Sequence, residues 1–270
     1  MHSTIQSKYD LHVAGTLNAA ETLVFAHGYG SNQEAWRFVT PAFQERYRLV
    51  LFDLVGCGGS DHREFDPTHY ASLHAYATDL IHIADSLKLT GAHLIAHSVS
   101  SMIGTLAALK RPDLFASMVC IGASPRYLND DGYVGGFSRA AVDDLLDQMA
   151  QRFVEWTQGF ASTVMGVSDQ PELVKEFAQS LASMRPDIAI CIATRIFLSD
   201  HRQDAARLTL PVLLMQPRED PVVPIEVSLY LHRVIAGSQL HWLSVPGHFP
   251  HLVSPTEVID AIEAHLQRVR

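Results

Sequence analysis

His93-Leu94-Ile95-Ala96-His97-Ser98-Val99-Ser100 runs directly into Ser101-Met102-Ile103-Gly104-Thr105-Leu106. The first half reads as a strand and the second as a helix, with a serine at the turn between them. Such a turn lifts the serine oxygen above a sheet edge and leaves the next backbone N–H facing the same space. Glycines usually stand two residues before and two after this serine, because the tight turn crowds both places. Ala96 and Ser100 hold them here. These are the smallest side chains after glycine, so the turn stays attainable. A serine between strand and helix is often only an N-cap, so Ser98 needs partners before it implies chemistry.

The partners follow in the order serine, acid, histidine. Asp220 lies in Gln216-Pro217-Arg218-Glu219-Asp220-Pro221, after the apolar run Val212–Met215. His248 lies in Pro246-Gly247-His248-Phe249-Pro250, after Leu240–Leu243. Both positions fall just past strand ends, on the sheet edge that would carry Ser98. A nucleophilic serine needs a base within reach of its proton, and that base needs a carboxylate to fix its tautomer. Glu219 is the rival acid and His251 the rival base; the glycine before His248 favours His248 because it permits a tight turn. Ala26-His27-Gly28-Tyr29-Gly30 follows an earlier strand. In this arrangement that loop supplies one oxyanion donor, the Tyr29 N–H, and Val99 supplies the other.

Working outward, short apolar runs alternate with helical patterns. Leu23–Ala26, Leu49–Phe52, His93–Ala96, Met118–Ile121, Val212–Met215 and Leu240–Leu243 lack polar alternation, as strands buried on both faces do. Between them, Leu73, Ala77, Leu80, Ala84 and Leu87 mark a helix over Tyr70 to Leu87. Ser254-Pro255-Thr256-Glu257 reads as a capping box opening a last helix, whose apolar face is Ile259, Ile262, Leu266 and Val269. The alternation predicts an α/β fold with a mostly parallel, doubly wound sheet. Between Ala123 and Val212 the strand signal lapses. Val142, Leu145, Leu146, Met149, Phe153, Trp156 and Phe160 form a helical stripe there, which one helix or two could carry, followed by Leu173, Phe177 and Leu181. Arg185-Pro186-Asp187 opens another helix, through Ile188, Ile192 and Ile196. A helical insertion at this point caps the carboxyl edge of the sheet, where open α/β sheets bind ligands.

Other chemistries fit less well. Gly56-Cys57-Gly58-Gly59-Ser60 follows a later strand and leads into a loop, so it is no dinucleotide fingerprint. His248 and His251 are separated by Pro250, which argues against one helix presenting both to zinc. Cys57 lacks the surroundings that activate a thiol. We therefore expect neither a metal nor a cofactor. The 270 residues are 47% hydrophobic and only 18% charged, with a net charge of −9. A disordered chain would be less hydrophobic. The acidic balance, with no basic stripe, disfavours nucleic acid. No apolar stretch is long enough for a membrane span. Three scattered cysteines and no apolar leader fit a cytoplasmic protein.

Taken together, the chain resembles the α/β-hydrolase superfamily over nearly its whole length. Asp53-Leu54-Val55-Gly56-Cys57-Gly58-Gly59-Ser60 is similar to a structural turn of those hydrolases. His97–Gly104, Ala123–Asp130, Gly135-Gly136-Phe137, Met184–Ala189 and Phe197–Arg202 are similar to a narrower group, the bacterial stress-response regulator RsbQ and the plant karrikin and strigolactone receptors. In that group the catalytic acid precedes a proline by four residues, as Asp220 precedes Pro224, and a Gly-His-x-Pro segment holds the base, as in Gly247–Pro250. Most members carry phenylalanine where Tyr29 stands, and the common elbow has glycine where Ala96 stands. The resemblance implies one domain, with a core over 1–125 and 208–270 and a four-helix, V-shaped lid over 126–207. It also implies an apolar pocket lined by Tyr29, Phe137, Trp156, Phe160 and Phe197, with Val99 at its floor. Two readings follow: a serine hydrolase of small apolar esters or lactones, or a slow-turnover ligand sensor whose lid is read by a regulatory protein partner. A haloperoxidase-like or C–C-bond hydrolase of the same fold is a third. The expected assembly is a monomer or weak dimer.

Overall fold

The central strands carry no polar alternation because each strand is buried on both sides. Leu94 and Ala96 face one apolar cluster while Ile95, between them, faces the other; Met118 and Cys120 are likewise split from Val119 and Ile121. The computed structural model describes residues 4–167 and 169–270. In it the strands are β1 His12–Gly15, β2 Thr22–Ala26, β3 Arg48–Phe52, β4 Ala92–His97, β5 Phe115–Ile121, β6 Val212–Pro217 and β7 Gln239–Leu243. They form one sheet in the order β1-β3-β2-β4-β5-β6-β7. All neighbours are parallel except β1 and β3. The α/β class and mostly parallel sheet expected from the sequence are the observed ones. β1 is the strand the sequence reading does not include.

The helices are α1 Ile5–Tyr9, α2 Leu73–Ser86, α3 Val99–Lys110, α4 Arg139–Gln151, α5 Phe153–Met165, α6 Pro171–Ala182, α7 Pro186–Phe197, α8 Arg202–Ala205, α9 Ile225–Val234, α10 Pro250–Val253 and α11 Pro255–Val269. α2 and α3 bury their apolar faces in the larger cluster, and α11 closes the other face of the sheet. The capping box expected at α11 does not form. Ser254 makes no side-chain cap, and the Glu257 carboxylate accepts instead from the backbone N–H and hydroxyl of Ser244, both at 2.9 Å. The loop after β7 thus takes the carboxylate that would have reached back to the cap. The apolar face of α11 is also turned by one residue: Val258, Ile262 and Leu266 are buried, and Ile259 is only partly so.

Among the described residues five helices, α4 to α7 and the single turn α8, lie between β5 and β6. The stripe from Val142 to Phe160 is divided between α4 and α5, and the break is Arg152, at φ −143° and ψ 52°. α4 packs on α7, and α5 on α6. α7 begins at Pro186, after an extended Arg185, where proline loses no helical hydrogen bond. These helices are tied to the loop after β2. The Ser180 hydroxyl donates to the Gly30 carbonyl at 2.9 Å, and the Tyr29 hydroxyl to the Ala189 carbonyl at 2.9 Å.

Candidate active site

Ser98 stands between the end of β4 and the start of α3, with φ 55° and ψ −125°. A non-glycine residue held there costs about 1–3 kcal/mol, so the surrounding bonds must hold it. Its N–H donates to the Ile121 carbonyl at 2.8 Å, and its carbonyl accepts from Ser101 N–H at 3.0 Å. Ala96 is fully buried in the strand. The Ser100 hydroxyl, at the usual second glycine, donates to the His27 carbonyl at 2.5 Å. That bond fastens the elbow to the loop carrying Tyr29. Gly28 in the same loop has no room for a side chain, since a Cβ would stand 2.6 Å from His97 Nδ1 and 3.2 Å from Ser98 Cβ.

His248 and Asp220 stand beside Ser98. Ser98 Oγ lies 2.8 Å from His248 Nε2, and His248 Nδ1 lies 2.7 Å from Asp220 Oδ2. The Asp220 side chain is fully buried. Its Oδ1 accepts from the N–H groups of Val222 and Val223, and Oδ2 also accepts from Gln216 Nε2 at 3.1 Å. A carboxylate with that many donors is held in one orientation. The His248 backbone is held as well: its N–H donates to the Val164 carbonyl of α5 at 2.7 Å, and Gly247 N–H to the Glu219 carbonyl at 2.8 Å.

The rival residues lie elsewhere. Glu219 is exposed, and only its backbone joins this network. His251 is fully buried and stacks on Trp36, with ring centroids 4.6 Å apart. Neither of its ring nitrogens has a hydrogen-bond partner among the described residues. Burial, reinforced by His248 and Arg37, pushes its pKa down to about 3, so it is neutral. Burial raises the Cys57 thiol to about 12, which leaves it protonated and a poor nucleophile. The glycines around Cys57 serve the turn: Gly59 N–H and Gln33 N–H each donate to Asp53 at 2.7 Å. A Cβ on Gly58 would meet Asp53 Oδ2 at 2.1 Å. No group of three His, Cys, Asp or Glu among the described residues is arranged to hold a metal ion.

The cavity at Ser98 is small, about 30 Å³, and mostly apolar. Tyr29, Phe160 and Phe197 border it, together with Tyr127, Phe177, Val164 and Val222. Phe137 and Trp156 do not reach it. They line a separate groove of about 700 Å³ between α4 and α5, which meets the Ser98 cavity at Phe160, Val164 and Val222. Val99 borders neither; it lines a further small space behind Tyr29. As the first residue of α3, Val99 has an N–H with no intrahelical acceptor. Sequence reasoning gave no role to Gln216, Gly122 or the phenol of Tyr127. Tyr127 Oη is 3.5 Å from Ser98 Oγ, and burial raises its pKa to about 12. Only the fold brings these three to the site, and no local motif marks them.

A family model described as alpha/beta hydrolase fold matches residues 21–255. The chain belongs to the α/β-hydrolase family. Within that family it is similar to proteins named as strigolactone esterases and karrikin receptors. It is 38% identical over 270 residues to strigolactone esterase RMS3 of Pisum sativum, covering 99% of this chain and 100% of the relative. It is 36% identical to karrikin insensitive 2 receptor CA of Petunia hybrida, covering 97% of each. Among solved structures, a hydrolase from Oleispira antarctica matches with TM-score 0.94 and 31% identity, over 97% of this chain and 96% of that one. In the described part of this α/β-hydrolase, no helix is long and apolar enough to cross a membrane.

Proposed function

We propose that this α/β-hydrolase cleaves small apolar esters or lactones through an acyl-enzyme on Ser98. The observation that carries the reading is the unbroken relay from Ser98 Oγ through His248 to a fully buried Asp220, opening on an apolar cavity. Ser98 Oγ attacks the substrate carbonyl carbon while His248 Nε2 takes its proton. Asp220 keeps the Nδ1–H tautomer and stabilises the imidazolium. The N–H groups of Val99 and Tyr29 receive the developing oxyanion; removing one such donor typically costs about 2.7–4 kcal/mol. His248 then gives the proton to the departing alkoxide, which in a lactone stays tethered to the acyl group. Water attacks the acyl-enzyme, passing a proton to His248, and Ser98 is restored. The names of the relatives support ester hydrolysis, and the lack of a basic lining in the cavity suits a neutral substrate.

A second reading has its own observation. His248 N–H is held by the Val164 carbonyl of α5, so a change in residues 126–207, the segment we assign as lid, reaches the base directly. On this reading the protein is a slow ligand sensor, and a regulatory protein reads the lid, as the receptor names among the relatives also favour. Three free cysteines support a cytoplasmic site for either role. We take the working form as a monomer or weak dimer.

Intact-mass spectrometry tests both readings, with a butenolide and an aryl ester incubated against the wild type and Ser98→Ala. Repeated turnover that disappears in Ser98→Ala is the result expected of the hydrolase. A stalled adduct on Ser98 or His248 selects the sensor. Hydrolysis that survives Ser98→Ala removes Ser98 as nucleophile.

A further inference from the structure

Two apolar spaces meet at Tyr29. One is the cavity at Ser98. The other lies behind it, about 10 Å³, lined by Leu54 and Cys57, by Leu73 and Tyr76 of α2, by Val99 and Ile103 of α3, and by Ile192 and Ile196 of α7. That is room for about one water molecule. Tyr29 and Ile196 border both spaces. The Tyr29 ring does not rest there by packing alone, because its hydroxyl donates to the Ala189 carbonyl at 2.9 Å. The phenol stays protonated in this setting: burial, then the nearby Cys57, raises its pKa well above the usual value. It therefore remains a donor. Phenylalanine, the residue the resemblance leads one to expect here, could not make this bond.

The direction of the reaction says which part of a substrate faces Tyr29. With an open-chain ester the leaving group must depart after the first step, whereas the acyl group stays bonded to Ser98. The wide groove between α4 and α5 touches the Ser98 cavity on the side of Phe160, Val164 and Val222 and offers the way out. The acyl group is left to the closed side, at Tyr29 and Ile196. The backbone N–H of Tyr29 is also the assigned oxyanion donor, so its ring stands close to the first carbons of the acyl chain.

We propose that Tyr29 is a partition across a longer apolar acyl site, and that its bond to Ala189 restricts this hydrolase to short acyl groups. This rests on the ester-hydrolase reading above. With the ring in place an acyl chain has only the Ser98 cavity. With the ring removed, the two spaces join into one apolar channel running between α2, α3 and α7 toward Ile103. Each methylene that gains or loses a place in an apolar pocket changes discrimination by roughly 10–200-fold, so a few carbons suffice to reveal the channel.

The test compares kcat/KM for p-nitrophenyl acetate, butyrate and hexanoate in the wild type, Tyr29→Phe, Tyr29→Leu and the double variant Tyr29→Leu/Ile103→Phe. Wild type should prefer acetate. Tyr29→Leu should raise the hexanoate-to-acetate ratio by about 10-fold or more, on the per-methylene scale above. Tyr29→Phe, which only releases the ring, should move the ratio in the same direction by a smaller factor. Ile103→Phe refills the channel and should return the ratio toward the wild-type value. A ratio within twofold of wild type in both single variants overturns the partition, as does a gain that the double variant keeps. A binding measurement needs no turnover: by calorimetry on the Ser98→Ala background, Tyr29→Leu should bind 2-octanone more tightly relative to 2-butanone. An unchanged preference there refutes the proposal even if no ester is hydrolysed. Failure of the hydrolase reading shows itself separately, as ester cleavage indifferent to Ser98→Ala or absent from the wild type.

Discussion

Replacing Gly122 with alanine would place a methyl group against the imidazole of His248. Gly122 follows β5 with φ +59°, and a Cβ built on it lies 2.9 Å from His248 Cε1 and 3.1 Å from Nδ1. That is about 0.6 Å inside the roughly 3.5 Å at which carbon contacts become favourable. Two costs follow. Holding alanine in the left-handed region costs roughly 1–2 kcal/mol, which in a chain of this size lowers Tm by about 2–8 °C. The imidazole must also give way, yet it is held by Ser98 at 2.8 Å and Asp220 at 2.7 Å, so at least one of these bonds lengthens. A displacement of ~1 Å at a reacting group costs about 100-fold, so a shift of half that size should lower kcat by about 10-fold or more. The assay is kcat and KM on p-nitrophenyl acetate, paired with a thermal melt. Gly91→Ala is the control: it has φ +63° and nothing within 4 Å of its Cβ, so it carries the backbone strain without the contact. Gly91→Ala should lose stability and keep kcat. If Gly122→Ala loses stability to the same extent and also keeps kcat within twofold, then the position of the His248 ring does not govern the rate and the triad reasoning fails.

Two further outcomes are expected. Asp220→Asn keeps the fold but allows the wrong His248 tautomer, so kcat should fall about 10⁴-fold with an unchanged circular dichroism spectrum; a loss below tenfold argues for another acid. His251 bears on acid stability. Its folded pKa, about 3, lies below the roughly 6.5 of the unfolded chain. Between those values the unfolded state holds the extra proton, so stability is complete above about pH 6.5 and falls as the pH drops toward 3, by up to ~1.4 kcal/mol per unit. His251→Phe should flatten the dependence of urea midpoints between pH 4 and 6, and an unaltered slope would show that His251 is protonated in the fold.

Much of the architecture is legible in the sequence, for a physical reason. Strands buried on both faces must be apolar, and five of the six runs so identified are such strands; the sixth, β7, is an edge strand that Leu240, Trp242 and Leu243 nevertheless keep apolar. β1 escaped because it pairs on one side only and is mostly exposed, so His12-Val13-Ala14-Gly15 carries little hydrophobic signal. The α11 cap misled because a local pattern offers a carboxylate but does not say who else competes for it; Ser244 arrives from the preceding loop. The same limit applies at the site. Ser98, Asp220 and His248 announce themselves by residue type, order and position after strands. Gln216 reads only as a polar residue near the end of β6, although its amide holds Asp220 and accepts from Ser228. Trp156 and Phe160 share one helical stripe, and only the turn of α5 decides that Phe160 reaches Ser98 and Trp156 does not; Phe137 stands before α4 and lines the outer groove.

The bond from His248 N–H to the Val164 carbonyl has a consequence for how such molecules can be recombined. The sheet alone does not seat the histidine; one anchor of its backbone is borrowed from the helical insertion. A Cβ on the preceding Gly247, with φ +89°, would stand 2.0 Å from the Met165 carbonyl oxygen, so the two segments meet with no spare room. Grafting a foreign cap between β5 and β6 therefore demands more than a matching pair of chain ends. The donor segment must bring a free carbonyl to the same point and leave that glycine uncovered, or the host keeps its sheet while its histidine loses its register.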